Sequence, residues 1–75
     1  MNLYFFDLIH HEVTRDDIGT QLPDLAAAKR EALATLGQMA KDGLEPSVSE
    51  PCSIDIREVS NRQAILRVTL SVTEY

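Results

Sequence analysis

From Pro23 to Pro46 the chain carries one helix whose two ends are both marked in the sequence, and in 75 residues that helix leaves room for little except strands. Asp24 precedes Leu25-Ala26-Ala27-Ala28, so its carboxylate can accept from the free amide of Ala26 or Ala27, and its charge suits the positive end of the helix dipole. The helix is predicted to end near Asp42. Gly43 fits the left-handed position beyond it, Leu44 falls where a Schellman ending would bring it against Met39, and Glu45-Pro46 prevents continuation. Leu25, Ala28, Ala32, Leu36 and Met39 recur at spacings of three and four, with Leu33 and Ala40 at the border, giving one stripe that must face a sheet. Gly37 either admits a neighbouring backbone or is a weak point of about 1 kcal/mol.

Before the helix, residues 2 to 10 read as a strand rich in β-forming residues. Tyr4, Phe6 and Leu8 lie on one side and Leu3, Phe5 and Ile9 on the other, so both faces are apolar. A short second strand from Glu12 to Arg15 is predicted to return beside it through a tight turn at His10-His11. Asp16-Asp17-Ile18-Gly19 then reads as a turn in which Gly19 supplies a positive φ.

After the helix, Glu45 to Pro51 is a polar linker within one domain spanning residues 1–75. Cys52, Ile54 and Ile56 then alternate with Ser53, Asp55 and Arg57, and Ala64, Leu66, Val68, Leu70 and Val72 with Ile65, Arg67, Thr69, Ser71 and Thr73. Such alternation marks half-buried antiparallel strands. Opposed residues share a face, so the turn between them must be odd in length. A three-residue loop, Ser60-Asn61-Arg62, pairs Ile56 with Leu66 and Ile54 with Val68, and sets Asp55 opposite Arg67 on the outer face. The expected fold is α+β: ββαββ, an antiparallel four-stranded sheet with one helix packed on one face.

A net charge of −5 and a pI near 4.7, with the seven basic residues dispersed, argue against a nucleic-acid footprint. Asp7 interrupts the only early apolar run, so no signal peptide and no membrane span are expected. The single cysteine, Cys52, excludes an internal disulfide and fits a reducing, cytoplasmic setting. A chain this short buries only about 60% of its unfolded surface, which favours self-association as a source of stability.

The chemistry-bearing residues form no complete set. His10, His11 and Glu12, near Asp7, Asp16 and Asp17, could bind a divalent metal, but a solvated polar turn is the simpler reading. His10-x-Glu12 with Pro51-Cys52 matches part of the zinc deaminase signature, whose second cysteine position holds Asp55 here. Cys52 shares the apolar face with Ile54 and reads as a buried structural residue. The three glycines are too widely separated for a phosphate loop. No catalytic, metal or cofactor residues are assigned, and the chain is not expected to be an enzyme.

The segments Tyr4-Phe5-Phe6-Asp7-Leu8 and Arg15-Asp16-Asp17-x-Gly19-Thr20-x-Leu22-Pro23-Asp24-Leu25, with the alanine-rich helix start, resemble a family of short bacterial proteins known as a domain of unknown function. Members often carry a glycine-bearing turn after the first strand, where this chain has His10-His11. The family implies no catalytic residues. A weaker likeness, through Pro-Asp-Leu before a helix, is to antitoxins of the HicB type, which implies a protein partner. If the helix covers one sheet face, the other apolar face of the first strand has no cover within the chain, and such a patch usually marks an interface. The expected function is a cytoplasmic interaction module that forms a homo-oligomer through its sheet, with Leu3, Tyr4, Phe5 and Ile9 as candidate interface residues. The alternative is a small-ligand binder whose pocket, formed between copies, is lined by Tyr4 or Phe5.

Overall fold

The computed structural model describes residues 1–75. Its elements are β1 (Asn2–His10), β2 (Glu12–Thr14), β3 (Thr20–Leu22), α1 (Leu25–Lys41), β4 (Cys52–Glu58) and β5 (Leu66–Leu70). One antiparallel sheet runs in the order β2-β1-β4-β5, and β3 also pairs with β1, on the N-terminal stretch that β2 leaves free. The predicted class therefore holds, with one strand more than the sequence pattern suggested.

β3 escapes sequence reading because three residues are too few to display a period. Its register, Asn2↔Leu22 to Tyr4↔Thr20, exists only because the turn before it carries the chain back along β1. β3 and β4 both run antiparallel to β1 and hence parallel to each other. The segment β3-α1-β4 is thus a crossover that passes over β1 and lays the helix across one sheet face. No helix is long and apolar enough to cross a membrane.

Both helix ends form as expected. The Asp24 carboxylate accepts from the Ala27 amide at 2.8 Å. At the other end Gly43 has φ +110, its amide donates to the Ala40 carbonyl and that of Leu44 to the Met39 carbonyl, which is the Schellman pattern. The buried stripe is narrower than predicted: Ala28, Ala32 and Leu36 are enclosed, whereas Leu25 and Leu33 are exposed. The two alanines let the helix approach the sheet closely, against Tyr4, Cys52, Ile54 and Ile56. A Cβ at Gly37 would meet nothing within 4 Å, so this glycine is a weak point and not a site of close approach.

The hairpin register is the one deduced from parity: Ile56↔Leu66, Asp55↔Arg67 and Ile54↔Val68. Its loop is longer than the expected three residues. Glu58 stays paired with Tyr4, and the Val59 amide donates to the Leu3 carbonyl, so this end of β4 remains with β1 while β5 separates after Leu66. Ile65 was expected to face outward. It packs against the core together with Leu66, because the strand alternation ends there.

Candidate functional site

The sheet face away from the helix carries the only buried charges of the chain, and three short segments assemble them. Along β1 the outward residues are Leu3, Phe5, Asp7 and Ile9; β4 adds Ser53, Asp55 and Arg57, and β5 adds Arg67 and Thr69. Asp7 and Asp55 stand opposite one another in the register, a like-charge pair that would be destabilising if left alone. Each is neutralised from the side. Arg57 Nε donates to Asp7 Oδ2 at 2.6 Å and its Nη2 to Oδ1 at 3.0 Å, while Arg67 makes the same two-pronged contact with Asp55 at 2.5 and 2.9 Å.

The two pairs differ in setting. Asp7 and Arg57 are each only 8% exposed, whereas Arg67 lies at the solvent-facing side. The turn of residues 15–19 encloses the inner pair. The Asp16 amide donates to Asp7 Oδ1 at 2.9 Å, and the Asp16 carbonyl accepts from Arg57 Nη2 at 3.0 Å. The Asp16 carboxylate accepts from the amides of Ile18 and Gly19 within its own turn and, at 3.1 Å, from the amide of Phe6. Phe6 lies on β1 between the stretch paired with β3 and the stretch paired with β2. Asp16 therefore replaces a strand at that gap, supplying the acceptor that an edge amide would otherwise lack.

Arg57 also covers Phe5, its guanidinium carbon 4.9 Å from the ring centre. Gly19, at φ +81, comes so close that a Cβ would lie 2.9 Å from Leu3 Cδ1 and 3.0 Å from Phe5 Cε1. The outer apolar row is thus partly covered from within the chain, contrary to the expectation that it has no cover. Of the four expected interface residues, Leu3, Phe5 and Ile9 lie on this face, half-buried. Tyr4 does not. It faces the helix at 1% exposure and cannot line an interface or stack on a ligand, because residues 3 and 4 of a strand point to opposite sides.

The electrostatics follow from these contacts. The Arg57 guanidinium holds the Asp7 carboxyl below its ordinary value, against the opposing effect of burial, and Asp7 in turn raises Arg57. For Asp16 partial burial opposes ionisation, but the amides of Gly19, Phe6 and Ile18 together outweigh it and the carboxyl is lowered. A carboxyl depressed in the folded state contributes stability above its unfolded value and loses that contribution as pH falls through the folded one. The urea midpoint should accordingly fall between about pH 5 and pH 3, around and below the ordinary carboxylate range. A midpoint unchanged over that interval would contradict the assignment of these two carboxylates.

The remaining candidates are kept apart. Cys52 is fully buried opposite Leu70, and burial pushes its thiol up. His11 adopts φ +62, a conformation that glycine favours, and this breaks the alternation so that the two histidine rings lie 4.2 Å apart instead of on opposite faces. His11 Nδ1 contacts the Glu50 carboxylate. No three His, Cys, Asp or Glu side chains converge as a metal site would require.

Most of the residues that build this cluster fall in the segments singled out above, Phe5, Phe6 and Asp7, then Asp16 and Gly19; Arg57, on β4, lies outside them. Residues 3–71 match the family described as Domain of unknown function (DUF6894). The chain belongs to that family. Comparison with curated proteins and with solved structures finds no match. In this DUF6894 domain the Asp16–Gly19 turn and the Asp7–Arg57 pair form one interlocked unit, which sequence reading missed. Asp7 stood out only as an interruption and as a neighbour of the His10-His11-Glu12 group, and Arg57 only as a polar residue of an alternating strand. The available signal was an acidic residue between Phe5 and Ile9 on an apolar face, since a lone buried carboxylate requires a cation.

Proposed function

We propose that this DUF6894 domain is a non-catalytic, cytoplasmic interaction module that self-associates through its sheet. The observation that carries the reading is the surface that one chain leaves exposed. A folded monomer of 8.4 kDa is expected to present ~4,600 Å². This chain presents 5293 Å² and has a radius of gyration of 12.6 Å, spread over 42 × 20 × 20 Å. The excess of roughly 700 Å² is close to the ~800 Å² that each partner contributes to a standard interface. Only ten of the 75 residues are buried, so a second copy would add the core that the single chain lacks.

The groups best able to do chemistry are engaged with one another. Asp7, Asp16 and Arg57 hold the turn to the sheet, and the Cys52 thiol is enclosed and disfavoured from ionising. An unpaired thiol suits a reducing compartment. Native mass spectrometry of gently purified protein at micromolar concentration should give multiples of 8.4 kDa. A bare monomer would overturn the proposal, and a different co-purifying mass would replace self-association by a foreign partner.

A further inference from the structure

Resting on that self-association, we infer that two copies join through the free edges of β5, running antiparallel about a twofold axis at Val68, so that the two sheets become one. β5 pairs with β4 along one edge and is the last strand of the sheet on the other. An open edge is a template for another strand, and proteins usually blunt it with proline, lysine, bulges or very short strands. The opposite edge of this sheet is blunted in that way. There β2 and β3 have three residues each, and the Asp16 turn fills the gap between them. β5 is Leu66-Arg67-Val68-Thr69-Leu70, without proline or lysine.

That edge is complementary to itself. About Val68, Leu66 meets Leu70 of the second copy on the helix-facing side, and Arg67 meets Thr69 of the second copy on the outer side. No like charges are opposed. The Arg67 guanidinium is already turned to Asp55 of its own chain, so pairing leaves it neutralised. A second observation concerns strand length. The apolar alternation of the sequence continues beyond Leu70 to Val72, but β5 ends at Leu70 because its partner β4 begins at Cys52. In the paired edge, exposed Val72 extends the strand past Leu70 along the second copy.

The test compares Thr69→Lys with Thr69→Glu by sedimentation velocity over a concentration series. Both lose the 3.0 Å contact between the Thr69 and Ser53 hydroxyls, so any cost to the fold is shared. Thr69→Lys opposes a cation to Arg67 twice per dimer and should weaken association roughly 2- to 30-fold, a loss that about 0.5 M salt largely removes. Thr69→Glu should hold or tighten it. Val68→Cys, on the axis, should form linked dimers under mild oxidation, with buried Cys52 taking no part. If the two Thr69 variants dimerise alike and Val68→Cys does not cross-link, the β5 edge is not the interface although self-association stands. A wild-type chain that remains at 8.4 kDa throughout the series overturns both.

Discussion

Arg57→Ala should destabilise the domain by about 3–5 kcal/mol, the range for removing one partner of a buried ion pair. The loss is large because the charge left behind has nowhere to go. Asp7 is 8% exposed and is held by two guanidinium contacts, and its carboxylate would remain enclosed beneath the Asp16 turn without a counter-charge. The Asp16 carbonyl loses its donor at the same time. A domain of this length has roughly 4–11 kcal/mol to lose, so a substantial unfolded population is expected near the upper part of that cost. Urea unfolding measures the change. A double variant, Asp7→Leu with Arg57→Leu, should recover part of it, since no charge is then buried alone. Recovery stays partial because the amide and carbonyl of Asp16 both lose partners. An Arg57→Ala change below about 1 kcal/mol, within the range of a surface ion pair, would mean that the cluster is solvated in solution.

Gly19→Ala is expected to be the second most damaging single change, with a fall in Tm of more than about 10 °C for a domain of this size. Two costs combine. The backbone at φ +81 disfavours any Cβ by roughly 1–2 kcal/mol, and crowding adds about 1–3 kcal/mol. The side chains of Leu3 and Phe5 can yield to the added carbon, but the Tyr4 carbonyl, 3.1 Å away, belongs to the sheet and cannot. The turn must then lift, and with it the Asp16 carboxylate that accepts from Phe6. Hydrogen exchange at the Phe6 amide should therefore accelerate before the rest of β1 is affected. Equal loss of protection along the whole strand would show that the turn and the sheet unfold together.

Both changes touch the same unit, which explains how a chain with so few buried residues maintains its outer sheet face. The turn of residues 15–19 serves as a cover. It spares β1 a sixth strand, satisfies an edge amide and closes over an ion pair that links β1 to β4. Apart from Arg57, the residues of this unit lie within the segments that resemble the family, which extend to the entry to the helix.

Legibility from sequence followed the range of the interactions. The helix and both caps were readable because Asp24, Gly43 and Leu44 act on atoms within five residues of themselves. The β4–β5 register was readable because side-chain parity demands an odd loop, and a three-residue loop sets Ile56 against Leu66 and Ile54 against Val68. The Gly19 turn was readable from glycine's tolerance of positive φ. These features depend on local sterics and on a period of two or 3.6.

Only the tertiary structure decided the rest. Strand order and the crossover of β3-α1-β4 over β1 depend on contacts between distant segments, such as Tyr4 with Thr20 and with Glu58, which leave no local period. β3 exists because β2 stops short along β1, and the longer hairpin loop arises because Glu58 and Val59 remain with β1. Which face of β1 meets the helix was equally undecided, since both are apolar; it placed Tyr4 in the core and Phe5 beneath Arg57. Asp7 and Arg57 are separated by fifty positions, and their pairing follows from the β1–β4 register together with the exclusion of water by the Asp16 turn. Local chemistry determined the elements of this protein, and the burial of charge between them determined how they are joined.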